Sequence, residues 1–430
     1  MSSLAIRPST AEAIALAKAN YASLNPKSQE RWQSATRAMP GGNTRSVLFF
    51  SPFPLCMDRG EGSHLFDADG HRYVDLLGEY TAGIYGHSNE IIRAAIIEAL
   101  ANGITLAAQT RAESDLANLI CRRFESIELI RFTNSGSEAN LMAITTAMAR
   151  TGRRRILVFA GAYHGGLLSF GSGAASPLNV PYDFLYAPYN EINEVRDLIR
   201  KHRNDLAAIL VEPMLGAGGC IPAEPTFLHM LADEAKASGA ILIFDEIQTS
   251  RLSSGGRQKL LGIRPDLTTL GKYLGGGLSF GAFGGREDLM AQFDPRRPSF
   301  ISHAGTFNNN VLSMSAGFAG LSRVLRPEVL DDLNERGEVL MAALNSLLQS
   351  EGTDLYVTGL GSIMNFHCHG DPQRAAEILQ LLFFELLARG FYVAPRGMIA
   401  LSLAVTNTQI DQFLKAVQQV IGERRQLLSQ

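Results

Sequence analysis

Asp245 and Lys272 are residues of the types, and in the kind of place, that can share one piece of chemistry. Each follows an apolar, strand-like run, Ile241-Leu242-Ile243-Phe244 before the acid and Leu267 to Leu270 just before the lysine. In open α/β sheets ligands sit beyond the carboxyl ends of parallel strands, so an acid and an amine at that edge can face one small molecule. A cofactor that needs both is pyridoxal 5′-phosphate (PLP). Its aldehyde takes a lysine amine as a Schiff base, and its ring nitrogen draws electrons only while protonated, a state that a neighbouring carboxylate favours. Gly275-Gly276-Gly277 after the lysine would let backbone pass close to such a ligand. Taken alone, the pair also reads as an ordinary strand-end acid and a solvated loop lysine.

Further segments fit the same ligand. In Phe132-Thr133-Asn134-Ser135-Gly136-Ser137-Glu138 a strand ends, two hydroxyls flank a glycine, and a helical run of Ala, Leu and Met begins. A helix N-terminus offers free N–H groups and partial positive charge, so a phosphate there is held by amides and by Ser135 and Ser137; the other reading is a plain serine N-cap. Tyr163, after the strand-like RILVFA, can stack on an aromatic ring or pack on its own loop. Ile247 can cover the opposite ring face, and Gln248 is placed to meet a phenolic oxygen. Glu212 ends the run AAILVE, where it could orient an amine or stand as a simple strand-end carboxylate.

These residues need a scaffold, and the chain supplies an alternating one. From about residue 90 to 325, helical stretches alternate with short apolar runs at 130–132, 155–160, 207–212 and 241–246. That pattern predicts an α/β fold, a large and mostly parallel sheet with helices on both faces. Residues 10–38 read as helical, and residues 54–77 as a hairpin around Asp67-Ala68-Asp69-Gly70. After about 326 the pattern becomes a helix, two strand-like runs (355–368 and 391–403) and helices between and after them. The expected organisation is an N-terminal segment, 1–76, that joins a small α+β domain, a large domain, 77–325, and the C-terminal part of the small domain, 326–430.

Composition narrows the function classes. At 430 residues, 46% apolar and 19% charged, the chain can bury a large core. A net charge of −3 without a long basic run makes nucleic acid and anionic membrane poor partners. No apolar stretch reaches the roughly 20 residues that a membrane span needs. The opening residues place Glu12 and Lys18 inside an apolar alternation, unlike a secretory signal, so a soluble cytoplasmic enzyme is expected. The four cysteines form no C-x-x-C pair, and His367 and His369 alternate on one strand face without a third ligand, so no metal site is expected. The glycines from 271 to 277 lack the order of a dinucleotide loop.

The ordered set FTNSGSEANLMA, GAYHGG, LVEPM, FDEIQTSR, PDLTTLGKYLGGGLSFGAFGGR and HAGTFNNN resembles the class III aminotransferases of PLP fold type I, over nearly the whole chain. The resemblance implies a large seven-stranded-type sheet domain and a smaller domain from both termini. It implies that Ser135, Gly136 and Ser137 hold the phosphate, that Tyr163 stacks on the ring, that Asp245 pairs with the pyridinium, and that Lys272 is both Schiff-base lysine and proton shuttle. Thr306 matches the family threonine that reaches the phosphate of a neighbouring subunit, which implies a homodimer with shared sites. Ser137 stands where many relatives have threonine, and keeps the hydroxyl.

Two branches of the family compete. Met39-Pro40-Gly41-Gly42-Asn43 looks like glutamate-1-semialdehyde aminomutase, but Asn43-Thr44-Arg45-Ser46-Val47 and Ala394-Pro395-Arg396-Gly397 leave that pattern. GGNTRSVLFFSPFPL, EYTAGIYGHS, GTFNNNVLSMSAG and PRGMIALSL are instead similar to β-phenylalanine aminotransferases, which act on β-amino acids. An enzyme that alternates between an amino acid and 2-oxoglutarate needs cations for carboxylates, and Arg45 and Arg396 are the candidates. The expected reaction is ping-pong transamination from a β-amino acid to 2-oxoglutarate.

Overall fold

The computed structural model describes residues 9–171 and 176–428. The opening residues 1–8, part of the stretch read above against a secretory signal, lie outside that range. The chain divides into two compact units. One comprises the described residues up to Tyr80, Gly86–Ser88 and the chain from Arg336 onward; the other comprises Thr81–Tyr85 and Asn89–Glu335.

The larger unit is built on seven strands, β1 (Leu129–Thr133), β2 (Arg155–Phe159), β3 (Asp183–Ala187), β4 (Leu206–Val211), β5 (Ile241–Asp245), β6 (Leu267–Gly271) and β7 (Gly281–Gly285). They lie in the order β1-β7-β6-β5-β4-β2-β3. Only β7 runs antiparallel to its neighbours. Every residue of β4 and β5 is buried, as continuous apolar runs between two helical layers must be. Helix Gly136–Thr151 turns Ala139, Ala143, Ile144 and Ala147 inward at helical spacing, and the small side chains let it approach the sheet closely. It starts at the N-cap Ser135 and stops at Gly152, whose φ of 68° is the left-handed conformation glycine adopts without strain.

In the smaller unit, strands Met57–Glu61, His64–Asp67 and Arg72–Asp75 form an antiparallel sheet that Phe391–Tyr392 extends in parallel. The expected hairpin is thus three strands. The Asp67–Gly70 turn sits between the second and third, and a turn at Gly62, with φ of 56°, adds the other reversal. A second sheet joins Leu355–Leu360, Ile363–Cys368 and Met398–Ala400, so the run 355–368 is itself a hairpin around Gly361. The helical stretch 10–38 divides into Thr10–Leu24 and Pro26–Ala35, because Pro26 has no N–H to continue the first helix and suits the first position of a new one. Helix Pro372–Ala388 packs Leu381 against Ala13 and Ile14 of the first helix.

Among the described residues no helix is long and apolar enough to cross a membrane, and no cluster of three or more His, Cys, Asp or Glu side chains could hold a metal ion.

Candidate active site

Parallel β5 and β6 pair with Asp245 opposite Thr269, so Asp245 ends its strand at the edge where Lys272 follows β6 directly. Lys272 has φ of 56°, a left-handed backbone that costs a non-glycine residue about 1–2 kcal/mol. A pocket of about 290 Å³ opens at this edge. Ser135, Gly136, Ser137, Tyr163, Glu212, Asp245, Ile247, Gln248 and Lys272 all line it. Thr306 does not; it is exposed, at the head of the turn 306–309.

Asp245 is 4% exposed, so its charge must be met by the protein. Its Oδ2 accepts from Asn140 Nδ2 at 2.8 Å and faces His164 Nδ1 at 2.8 Å, and its Oδ1 accepts from the Ile247 N–H at 3.0 Å. Thr269 Oγ1 donates to Asn140 Oδ1 at 2.7 Å, which fixes the carboxamide so that its NH₂ faces the acid. One oxygen of Asp245 is thereby taken by two side chains, while the other keeps acceptor capacity beyond a single backbone bond. Asn140, His164 and Thr269 were not singled out from the sequence. The readable signal was polarity inside otherwise apolar buried runs, as in Leu-Thr-Thr-Leu of β6.

Glu212, 5% exposed, is bound on both oxygens by backbone N–H groups. Its Oε1 accepts the Tyr163 N–H at 2.9 Å and its Oε2 the Gly216 N–H at 3.0 Å, so it ties two loops of the pocket wall together. Burial pushes its carboxyl up to about 7, with His164 pulling it down and Asp245 adding to the rise.

Ser135 acts as the N-cap of the helix Gly136–Thr151, one of the two readings of this segment. Ser135 Oγ caps the helix by accepting the Glu138 N–H at 3.2 Å, and Glu138 Oε2 accepts the Asn134 N–H at 2.9 Å. The hydroxyl proton of Ser135 and the first amides of the helix are still available to an anion. Close packing explains the glycines here. An added Cβ at Gly136 would overlap Ile247 Cδ1, and one at Gly165 would overlap Ser137 Oγ. Gly275 and Gly276, expected to make room for a ligand, are instead pressed against Phe280 and Ala316 of the protein itself.

The two candidate arginines meet in the smaller unit. Arg45 lies 5.7 Å and Arg396 5.6 Å from the centroid of the same ring, Tyr80, and Arg45 pairs with Glu79. Tyr80 is held by a bond from its hydroxyl to Val47 O at 3.2 Å. Glu79 and Tyr80 have φ of 49° and 52°, so a left-handed turn presents both side chains to the arginines. Burial raises the Tyr80 pKa, opposed by Arg396 and Arg45.

The family profile described as aminotransferase class-III matches residues 50–421. The chain belongs to the class III aminotransferases. It is 52% identical to a beta-phenylalanine transaminase from Variovorax paradoxus over 97% of this chain and 98% of that protein. A glutamate-1-semialdehyde 2,1-aminomutase from Cytophaga hutchinsonii is 34% identical over 91% of this chain and 97% of its own length. Among solved structures, a beta-phenylalanine aminotransferase from Variovorax paradoxus matches with a TM-score of 0.96 and 51% identity, over 98% of this chain and 100% of that one.

As a class III aminotransferase, the protein is a PLP-dependent transaminase of PLP fold type I, and the seven-stranded, mostly parallel sheet is that fold. The pocket fits the cofactor on its own terms. It offers a helix N-terminus for a dianion, a buried carboxylate with acceptor capacity to spare, an exposed aromatic ring in Tyr163, and a lysine at the same edge. Among the described residues the buried Gln248 Oε1 has no hydrogen-bond partner, so it could accept from a donor on a ligand.

Proposed function

We propose that this transaminase moves the amine of an aromatic β-amino acid, such as β-phenylalanine, to 2-oxoglutarate by a ping-pong exchange, as a homodimer with shared active sites. The observation that carries the substrate class is the convergence of Arg45 and Arg396 on one tyrosine ring. Two planar cations are thereby available for carboxylates, one for a monocarboxylate donor and both for a dicarboxylate acceptor. The 52% identity to a beta-phenylalanine transaminase supports the same reading.

When bound, PLP supplies an electron-withdrawing ring that acidifies the C–H of an amine attached to its aldehyde carbon. Lys272 Nζ would hold that aldehyde and, when free of it, would take the proton from the amine-bearing carbon and return it. Asp245 would keep the ring nitrogen protonated, while Asn140 and His164 hold Oδ2 and so fix the carboxylate's direction. Ser135, Gly136 and Ser137 bind the phosphate. Tyr163 and Ile247 would supply apolar cover for the ring, and Gln248 would hydrogen-bond its phenolic oxygen. Glu212 keeps Tyr163 and the Gly216 loop in place. In a β-amino acid the carboxylate lies one carbon further from the reacting centre, so the position of the arginines sets selectivity.

The test is a donor panel of α-, β- and ω-amino compounds against 2-oxoglutarate and pyruvate, with formation of the new amino acid as readout. β-Phenylalanine with 2-oxoglutarate is expected to be among the best pairs. Conversion of glutamate-1-semialdehyde without any keto acid, and no reaction of β-phenylalanine, would make the chain an aminomutase. Shared sites are tested with mixed dimers of Lys272→Ala and Thr306→Ala chains. One site then carries both lesions and the other neither, so about half the wild-type activity should return. No recovery would place Thr306 in its own chain's site.

A further inference from the structure

The turn that carries Glu79 and Tyr80 cannot support itself. Gly78, Glu79, Tyr80 and Thr81 have φ of 54°, 49°, 52° and 79°. A left-handed conformation costs a residue with a Cβ about 1–2 kcal/mol, so three such residues in a row stand only where neighbouring groups enforce them. The group at the entry is Asp75, the last residue of the strand Arg72–Asp75 and 5% exposed. Its Oδ1 accepts the N–H of Leu77 at 3.0 Å and of Gly78 at 2.9 Å, the two residues before Glu79. Its own N–H donates to Ser63 O at 2.8 Å, and the Leu76 N–H donates to Tyr392 O at 2.9 Å, so the strand end is fixed.

The other oxygen of Asp75 is held from further along the chain. Oδ2 lies 3.0 Å from His87 Nε2. A carboxylate can only accept, so Nε2 carries the ring proton and donates it, whether or not Nδ1 is also protonated. His87 is itself anchored: its N–H donates to Gly62 O at 2.7 Å, and its carbonyl accepts the Gly62 N–H at 3.0 Å. Its ring lies on Gly60, where an added Cβ would overlap the imidazole, and Ser88 Oγ donates to Gly60 O at 3.1 Å. Asp75 is thus gripped on one oxygen by a fixed ring, and with the other it sets the start of the left-handed turn.

We propose that Asp75 and His87 are positioning residues for carboxylate recognition: they hold the turn Gly78–Tyr80, and with it the ring on which Arg45 and Arg396 converge. The inference rests on the reading of those arginines as carboxylate binders. Tyr80 is tied at its far end to Val47 O, and Glu79 pairs with Arg45, so both side chains of the turn act on the arginines. Without the His87 donor, Asp75 can rotate, the N–H groups of Leu77 and Gly78 lose their acceptor, and the turn is free to leave the left-handed region. The arginines then lose the ring that sets their direction.

The measurement is the Kd of holoenzyme for 3-phenylpropionate by calorimetry, together with KM and kcat for β-phenylalanine and 2-oxoglutarate. 3-Phenylpropionate is β-phenylalanine without its amine, so it binds and cannot react. His87→Leu should raise Kd and both KM values about three- to tenfold, the loss of one hydrogen bond. Its kcat should stay within about twofold of wild type, the pattern of lost binding and not of lost chemistry. His87→Gln places an amide N–H near the position of Nε2 and should restore wild-type affinity. His87→Asn, polar but too short to reach Asp75, should behave as His87→Leu and serves in its place if leucine is not tolerated in the fold. On an Arg396→Ala background the effect of His87→Leu should shrink, because both changes remove one interaction. If Arg396→Ala weakens binding of the analogue while His87→Leu and His87→Asn bind it as wild type does, the inference is refuted. It is refuted equally if His87→Gln binds as weakly as His87→Leu, or if kcat falls with KM unchanged. If Arg45→Ala and Arg396→Ala both bind the analogue as wild type does, the arginine reading fails and takes this inference with it.

Discussion

The pocket around Asp245 and the arginine pair around Tyr80 are built on opposite principles. In the first, the two side chains that touch Asp245, Asn140 and His164, are buried, and Thr269 fixes Asn140 in turn. In the second, Arg45 and Glu79 are 45% and 56% exposed at the side chain, and their pairing competes with water and salt. A buried carboxylate loses strength if it moves, because its partners cannot follow. An exposed cation over an aromatic face gains only about 0.5–1 kcal/mol from the ring and can turn toward an incoming carboxylate. On the proposed roles, the arrangement would separate chemistry, which tolerates no play, from recognition of unlike substrates, which requires some.

The largest effect expected from breaking this contrast is at Lys272. Lys272→Ala should abolish the visible band of the enzyme-held cofactor and nearly all turnover with every donor, while phosphate contacts still retain PLP. A mutant that keeps the band would show that another lysine carries the cofactor. Next comes Asp245→Asn, which preserves shape and removes charge; turnover should fall by about 10²–10³-fold for every donor alike, the range for groups that stabilise developing charge. Wild-type rates in a stopped-flow assay would refute its role.

Substitution of the arginines should be milder and selective. Arg45→Ala and Arg396→Ala should each lower kcat/KM by about ten- to a hundredfold for carboxylate-bearing substrates, corresponding to a charge-assisted contact of about 1.5–3 kcal/mol. Aromatic amines without a carboxylate should lose less, and the difference should narrow as salt is raised, as it should not for Asp245→Asn. Equal losses for both substrate classes would make the arginines structural.

The smallest effect is read in stability. The carboxyl of Glu212 is raised from 4.5 to about 7, so it favours the folded protein while protonated. That contribution is full below pH 4.5 and is lost as pH rises toward about 7. Melting of the apoenzyme across this window should therefore show a downward component with rising pH that Glu212→Gln lacks. An unchanged pH slope in the variant would mean that Glu212 is ionised throughout.

What the sequence made legible, and what it hid, follows the same physical divide. Runs such as Leu206–Val211 and Ile241–Asp245 are buried on both faces, so they read as strands without any alternation. Strand β7, Gly281–Gly285, did not, because Gly-Ala-Phe-Gly-Gly carries loop composition; its glycines are there because the neighbouring backbone leaves no room for a Cβ. Residues at strand ends announced themselves by position. The partners that hold Asp245 come from a helix, a loop and a strand more than a hundred residues apart in places, as Asn140 and Thr269 are. Arg45 and Arg396 could be named as carboxylate binders by chemistry, but their meeting on Tyr80 is a fact of tertiary structure that no local pattern encodes.

The left-handed backbone at Lys272 sets the chemistry against the endurance of the chain. Glycine at that position would relieve strain of about 1–2 kcal/mol, and asparagine part of it. A library of variants screened only for heat resistance without cofactor should thus drift toward glycine or asparagine at 272, and the hardiest survivors would be inert. If Lys272 is the Schiff-base lysine proposed above, thermostabilising this protein will require selection for turnover in the same round, because that residue is one its own fold would exchange.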